Sequence, residues 1–256
     1  DLMILDLLAH NNWKRPIYFA VTVGSESYLN LEDYFQLEGL AYRLVPIKTA
    51  PAPDGQTGRV NSNGMFDNMV NKFLWGNMAD PNVYLDQNNL NMTMNLRNNF
   101  SRLAETMLNE GKRDSALIVL DRCLEVMPDK TVPFNLMMLR IADLYFAAAN
   151  FNSMPEVDST GMIINRGMEL NDAKSKAAIE TGTTILHKLA DTYENDIEYY
   201  LSLKGTPHYK LIERDMGQAL AVMQELIRLA RNSKQDALVK ELEGRFKAVE
   251  QKYYSR

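Results

Sequence analysis

The chain of 256 residues has a single cysteine, no long apolar run and no excess of basic charge. One cysteine, Cys123, excludes an intrachain disulfide and leaves the redox compartment open, and its place among apolar helix positions is typical of a small core residue. No stretch approaches the roughly 18 consecutive apolar residues of a membrane span. The formal net charge is −5 with both signs scattered along the chain, so we expect no nucleic-acid partner.

Motifs of common catalytic and cofactor sites are also missing. The sequence contains no glycine-rich phosphate loop, no Gly-x-Ser-x-Gly nucleophile elbow and no Cys-x-x-Cys pair. Of its three histidines, His187 with Asp191 has the i,i+4 spacing that suits a metal on one helix face, and two ligands make a weak metal site. A surface histidine beside a helix carboxylate is the simpler interpretation. We therefore predict no catalytic residue, no metal and no cofactor in this chain.

The strongest periodic pattern lies between Arg97 and Pro128 and predicts two helices separated by a break at Gly111. Large apolar residues fill the groove between these helices, small residues allow close approach, and Pro128 ends the second helix. This order of positions resembles the tetratricopeptide (TPR) repeat, which stacks into a superhelix with a concave binding face. The interface residues are Phe100, Leu103, Ala104, Met107, Ala116, Leu120, Cys123 and Leu124.

The periodicity elsewhere predicts a mainly α fold, a TPR-like α-α superhelix preceded by a small α/β unit. Residues 1–76 form the predicted α/β domain, residues 77–88 a linker, and residues 89–256 the helical-hairpin domain, because periodicity disappears between Gly76 and Asn89. The predicted helices of the second domain span 90–109, 114–126, 132–149, a broken stretch at 154–170, 173–203, 209–232 and 234–254.

Strands and helices alternate in the predicted α/β domain. Leu2, Leu5 and Leu8 should point inward from a first helix at 2–8. A strand at 16–23, apolar enough to be covered on both faces, precedes a helix at 31–40 and a strand at 42–47, an order that favours parallel strands joined by a right-handed crossover. We expect a short edge strand at 59–61 and a helix at 65–75.

Part of this domain resembles the segment that follows the membrane region in a bacterial family similar to protein O-mannosyltransferases. The resemblance rests on two runs, NWKRPIYFA from Asn12 to Ala20, and Tyr28 and Leu29 followed by LEDYFQLEGLAYRLVP from Leu31 to Pro46. It implies that the chain is the soluble tail of a longer, membrane-anchored protein and faces the periplasm. The family's catalytic acids would belong to the membrane part, so no catalytic residue is transferred to this chain.

Candidate binding residues cluster beside the first predicted strand. Trp13, next to the cations Lys14 and Arg15, is able to stack on a sugar or meet lipid phosphates, and the alternative is that Trp13 covers the end of the sheet. Tyr28 and Tyr34, with Phe35 and Tyr42, suit either a carbohydrate cleft or a packed interface. Three carboxylates near a strand-helix junction, Glu32, Asp33 and Glu38, offer an acid/base pair, although helix N-terminal acidity explains the first two without catalysis.

Two further patterns concern surface chemistry. A solvated helix face explains the acidic aromatic run from Tyr193 to Tyr200 better than a binding site does. Asp-Ser-Ala at 114–116 and Asp-Ser-Thr at 158–160 resemble acceptor sites of periplasmic O-glycosylation, which predicts a glycan on Ser159 before Ser115. Asp114 has a competing role as the N-cap of the second helix of the hairpin.

Three functions follow from these patterns. The preferred hypothesis is a non-catalytic periplasmic interaction or scaffold module, whose partners are a protein or peptide on the concave helical face and its own membrane-embedded N-terminal region. The alternative is a carbohydrate-active or sugar-binding domain with a cleft between the α/β unit and the helices. A purely structural cap on the membrane part predicts neither a groove nor a cleft.

Overall fold

The computed structural model describes residues 2–151, 156–157, 163–164 and 173–255. These residues form eight α-helices and, near the N-terminus, a small four-stranded sheet, so the predicted mainly α class with a small α/β unit is confirmed. The chain divides into two compact units, residues 1–131 and 132–256. The predicted linker at 77–88 lies inside the first unit, and independent folding of residues 1–76 stays a prediction.

Four strands form the sheet of the first unit: β1 (Ile17–Ala20), β2 (Phe35–Leu37), β3 (Ala41–Leu44) and β4 (Arg59–Val60). Their order is β1-β3-β2-β4, with β3 antiparallel to both neighbours and β4 parallel to β2. The predicted crossover with parallel strands is therefore wrong. The predicted short strand near Arg59 is confirmed as β4 at an edge of the sheet.

A tight hairpin replaces the predicted helix at 31–40. Only a 3₁₀ turn at Glu32–Tyr34 is helical there, and β2 follows at once. The Glu38 N–H donates to the Ala41 oxygen at 3.1 Å and closes a two-residue loop, in which Gly39 has a φ of +123°. Alternate residues of the two strands point into the core, as period-two burial requires. These inward residues are Phe35, Leu37, Tyr42 and Leu44.

The N-terminal helix is present, but its orientation was wrongly predicted. Helix α1 (Leu2–Asn11) buries no residue, and Leu2 is 84% exposed. Strand β1 is shorter than predicted and covered on one face only, since Phe19 is buried while Tyr18 and Ala20 are exposed. Leu2 and Leu5 are exposed instead of pointing inward, whereas Leu8, the third predicted inward residue, is partly covered.

The helix predicted at 65–75 is shorter and irregular. Helix α2 (Ser62–Phe66) continues as a π-helical segment at Asp67–Lys72, and a 3₁₀ turn follows at Trp75–Asn77. The side chain of Asn61 caps α2 by accepting from the Gly64 N–H at 3.3 Å. Trp75 is buried, and its indole N–H donates to the Met69 oxygen at 3.1 Å.

The predicted helical hairpin is confirmed as α3 (Gln87–Asn109) and α4 (Arg113–Val126). The large side chains Phe100, Leu103 and Leu120 are completely buried, and so are the small residues at the close approach, whereas Leu124, also predicted at the interface, is only half-buried. Cys123 is a core residue as predicted, and burial raises the pKa of its thiol to about 12. The small residues are Ala104, Ala116 and Cys123.

The described part of the second unit is helical except for two short strands, which lie in the broken helical stretch predicted at 154–170, so a helix is wrong at those residues. Helices α5 (Met138–Ala149), α6 (Ala173–Ser202), α7 (Tyr209–Asn232) and α8 (Asp236–Ser255) follow the predicted spans, except that α5 starts six residues later than predicted. Consecutive helices pack on each other. Two short strands, β5 (Glu156–Val157) and β6 (Ile163–Ile164), pair antiparallel, and the rest of the broken stretch predicted at 154–170 lies outside the described residues. The TPR-like stacking stays a prediction.

Candidate functional site

A small pocket, which we call the polar cleft, lies between the 52–60 segment and α3 in the first unit. Its volume is about 190 Å³. Seven of its ten lining residues carry charge or hydrogen-bonding groups, which can orient a small ligand. The lining residues are Ala52, Pro53, Asp54, Arg59, Val60, Arg102, Glu105, Thr106, Asn109 and Glu110.

Arg102 fixes one side of the polar cleft. Its side chain is 3% exposed, and its Nε lies 2.6 Å from Oδ2 of Asp54. The same guanidinium donates to the oxygens of Thr57 at 3.0 Å and Gly58 at 2.6 Å. Because every nitrogen of Arg102 already has an acceptor, this residue holds the 54–58 loop against α3 and positions the cleft.

Glu110 supplies an ionised carboxylate at the other side of the cleft. The Ser62 hydroxyl lies 2.9 Å from each carboxylate oxygen, and Nζ of Lys112 is 2.7 Å from Oε2. Burial by itself raises the pKa of Glu110, but the hydrogen bonds from Lys112 and Ser62 and the charge of Arg59 outweigh burial and lower it. At neutral pH this group accepts hydrogen bonds and is not a proton donor.

The three carboxylates proposed as an acid/base pair do not come together as a catalytic group. Glu38 is buried and accepts hydrogen bonds from Tyr18 at 3.1 Å and Asn61 at 3.0 Å, with Arg43 at 3.4 Å. It lines neither the polar cleft nor the neighbouring pocket. Such a saturated carboxylate holds the sheet together.

Glu32 and Asp33 line that neighbouring pocket, which also measures about 190 Å³ and shares Ala52 and Arg59 with the polar cleft. Asp33 pairs with Lys48 at 2.6 Å on the surface. Both acids lie within a short 3₁₀ turn, so the predicted helix N-terminus is not what holds them.

Trp13, Lys14 and Arg15, predicted to bind, lie together on the surface directly after α1. All three side chains are exposed, and Trp13 has a φ of +56°, an uncommon conformation for a bulky residue. Lys14 and Arg15 form no ion pair with any residue that the structure describes. Together with α1 they form what we call the N-terminal apolar surface. Its large exposed side chains are Leu2, Met3, Leu5, Leu7 and Trp13.

Tyr28 and Tyr34, also predicted to bind, lie deeper in the fold. Tyr28 is 4% exposed, its hydroxyl donates to the Val23 oxygen at 2.8 Å, and its ring packs edge-on against Phe35. The alternative of a packed aromatic cluster therefore describes Tyr28 and Phe35. Tyr34 is half-buried, and its N–H donates to the Leu31 oxygen. A binding role for either tyrosine stays a prediction.

The structure describes one of the two serines predicted to carry a glycan. Ser115 lies half-buried in the first turn of α4, while Ser159 lies outside the described residues. Lys112, not Asp114, occupies the N-cap of α4, so the competing role predicted for Asp114 is wrong. Glycosylation of either serine stays a prediction.

Surface charges of the second unit join its helices. His187 lies 3.2 Å from Glu241, and Asp191 binds Arg245, so the two candidate metal ligands contact α8. No group of three or more metal-binding side chains occurs in the part of the chain that the structure describes. From the acidic aromatic run, Glu194 also binds Arg245, which favours a structural role.

The first quarter of the chain has a recognisable relative. Residues 1–64 match the family described as TMEM260-associated domain 2. The matched range includes α1, all four strands of the sheet and the residues on which the O-mannosyltransferase resemblance rests, and it is consistent with that resemblance. No curated protein and no solved structure matches the chain.

The length and apolar character of the helices bear on membrane insertion. Among the described residues, no helix combines the length and the apolar character required to cross a bilayer. The family match covers residues 1–64 alone, so what the rest of the chain does has to be argued from its own residues.

Proposed function

We propose that this chain is a non-catalytic interaction module of a membrane-anchored protein similar to the O-mannosyltransferases, placed on the periplasmic side. The observation that carries the proposal is the match of residues 1–64 to a domain named for its association with TMEM260. The matched region contains the N-terminal apolar surface, whose exposed tryptophan and two cations are suited to a site next to a membrane.

The contacts of the candidate acids support a role without catalysis. Glu38 accepts three hydrogen bonds inside the fold, and Asp33 pairs with Lys48. Glu110 has its pKa lowered by Lys112 and Ser62 against the effect of burial, whereas a general acid needs a raised pKa.

The proposed partner of the second unit is a protein or peptide. Large apolar side chains remain on the surface near the end of α6 and the start of α7, Tyr199 and Leu211 among them. Exposed aromatic and aliphatic side chains are typical anchors of protein interfaces. We expect Tyr199→Ser and Leu211→Ser to reduce recovery of a periplasmic partner, while Ile118→Ser, an exposed site in the first unit, leaves it unchanged.

Membrane attachment is tested in the natural host with the full gene product. A tag at Arg256 should sediment with membranes, resist carbonate extraction and become sensitive to protease once the periplasm is opened. Recovery of the tagged protein in the soluble fraction, or protection from protease in opened cells, would contradict the proposal.

A sugar-binding function is the second candidate, because the polar cleft places an ionised carboxylate near Arg59 in a volume of about 190 Å³. Such alternating donors and acceptors match sugar hydroxyls. Titration with mannose should shift the amide resonances of Glu105 and Asn109, and Glu110→Gln should weaken binding while the surface variant Lys72→Met does not. Equal binding by both variants, or no shift at millimolar sugar, removes this candidate.

A further inference from the structure

Helix α1 is apolar on nearly every side yet buries no residue, and only Ile4 and Leu8 among its large apolar side chains are partly covered. Its only charged or titratable side chains are Asp6 and His10, which contact each other at 3.1 Å and form one narrow stripe. A helix that is apolar all round is typically enclosed by other structure. Large exposed apolar patches mark interaction sites. The structure therefore contains an interface from which one side is missing.

Lipid is a poor occupant of this interface. Ten residues give a helix of about 15 Å, half of the roughly 30 Å of a bilayer core. An interfacial membrane helix needs a broad, strongly charged face, and the Asp6–His10 stripe does not supply one. These two arguments favour protein as the occupant of α1.

Strand β1 adds a requirement that only a polypeptide meets. It is the outer strand of the sheet, and among the described residues it pairs with β3 alone. The Val21 N–H donates to the Leu40 oxygen at 3.2 Å, which fixes the antiparallel alternation and turns the backbone groups of Tyr18 and Ala20 away from β3. The Val23 N–H donates to the Ala20 oxygen, so this oxygen already has a partner. Both groups of Tyr18 and the Ala20 N–H face the open edge, ready for an added strand.

The charge beside this edge indicates the character of the missing strand. Lys14 and Arg15 stand between α1 and β1, are exposed, and form no ion pair within the described ranges. An acidic residue next to the added strand would complement them. The area to be covered is apolar, so the strand itself should carry alternating apolar side chains.

We propose that α1 and the open edge of β1 dock an extended, apolar polypeptide segment with an acidic flank, which adds a fifth strand to the sheet. We assign this segment to the membrane-anchored region of the same protein, an assignment that rests on the proposed function. A permanent, intramolecular occupant fits because a free apolar helix next to an open strand edge promotes aggregation.

Photo-crosslinking in the natural host tests the proposal. The full gene product carries benzoylphenylalanine in place of Leu5 or Tyr18. A third version carries it at Tyr84, which is 87% exposed and far along the chain from the N-terminal apolar surface. We expect the first two positions, and not the third, to crosslink to a peptide of the same gene product outside residues 1–256. Crosslinks to lipid, to a second copy or to another protein, or no crosslink, overturn the proposal.

A backbone variant separates strand addition from simple apolar contact. Tyr18→Pro removes the outward N–H and leaves the bonds to β3, whereas Tyr18→Phe keeps the N–H and loses only the hydroxyl. We expect crosslinking from Leu5 to fall about tenfold in the proline variant, since the strand loses a hydrogen bond, and to persist in the phenylalanine variant. Ala20→Pro, with another outward N–H, replaces Tyr18→Pro if that variant does not fold.

The two proposals fail in different ways. Carbonate extraction of the same samples reports membrane attachment. A protein that stays with the membrane but shows no intramolecular crosslink from Leu5 or Tyr18 overturns only the added strand. A protein that leaves the membrane overturns the proposed function.

Discussion

Two hairpins of the first unit, one of helices and one of strands, are stabilised in different ways. The α3–α4 hairpin buries large and small apolar residues at a regular helical spacing. The β2–β3 hairpin is held from outside by side-chain amides: Asn99 donates to the Gly39 oxygen at 3.0 Å and Asn68 to the Glu38 oxygen at 2.8 Å. The first depends on volume, which tolerates gradual change, and the second on individual polar contacts.

The largest effect is expected in the helical hairpin. Phe100→Ala removes a completely buried ring that packs against Trp75 at a centroid distance of 5.0 Å. We expect a loss of about 3–5 kcal/mol in the free energy of unfolding, from lost burial and the cavity left behind. Both tryptophans, Trp13 and Trp75, lie in the first unit, so tryptophan fluorescence in urea follows this unit alone.

The matched control is Leu74→Ala, a large apolar side chain that is 93% exposed. It should change the free energy of unfolding by no more than about 0.5 kcal/mol. Cys123 gives a second measurement, because its buried thiol, with a pKa of about 12, should react with a thiol reagent only when the hairpin opens. Equal losses for Phe100→Ala and Leu74→Ala would contradict the assigned interface.

A polar anchor of the loop after the sheet gives the next effect. Arg102→Met leaves Asp54 and the oxygens of Thr57 and Gly58 without their donor, and we expect a loss of about 2–3 kcal/mol. Lys72→Met breaks a pair with Asp67 of the same 2.6 Å length on the surface, and should cost less than about 1 kcal/mol. Similar losses in urea unfolding would show that burial does not distinguish these two pairs.

The sequence predicted the helical hairpin and missed the strand hairpin for a physical reason. An apolar interface between helices repeats every three or four residues and is therefore local information. Phe35, Leu37, Tyr42 and Leu44 also alternate, but the first two lie in the span 31–40, whose sequence predicts a helix. Contacts with Asn68 and Asn99, which are distant in the sequence, decide whether this segment becomes a helix or a strand hairpin.

The strand hairpin depends on glycine at its loop. A Cβ on Gly39, where φ is +123°, would lie 2.8 Å from the Phe73 ring, whereas a Cβ on Gly55, where φ is +68°, would meet nothing within 4 Å. We expect Gly39→Ala to lower the free energy of unfolding by about 1–3 kcal/mol and Gly55→Ala by about 1 kcal/mol. The difference, measured in urea, combines the ring contact with the greater backbone strain at φ +123°, and a larger loss for Gly55→Ala would refute this account.

The candidate sites also differ in whether a local sequence pattern identifies them. The cluster at Trp13, Lys14 and Arg15 is contiguous in sequence, and the structure keeps it together on the surface. The polar cleft joins residues from 52 to 110, so no local pattern identifies it. The only sequence signal was a charged residue, Arg102, directly before the interface residue Leu103. The open edge of β1 was missed because the strand order was wrong.

The smallest expected effect concerns pH and one side chain of the polar cleft. Hydrogen bonds from Lys112 and Ser62, which outweigh burial, lower the pKa of Glu110 below its ordinary 4.5. Its contribution to stability is therefore fully present above pH 4.5 and is lost as the pH falls through the lower, folded-state pKa. We expect wild type to exceed Glu110→Gln in urea midpoint at about pH 7, and the difference to shrink as the pH falls below the ordinary glutamate pKa.

Ser62→Ala serves as the matched variant, because it keeps the carboxylate and removes a hydroxyl 2.9 Å from both of its oxygens. Its deficit should follow the same pH dependence with a smaller amplitude, since Lys112 still pairs with Glu110 at 2.7 Å. This carboxylate lies where α2 meets the end of α3, and the two helices are joined there by individual polar contacts. A deficit that stays constant from neutral to acid pH would mean that volume, not charge, joins α2 to the end of α3.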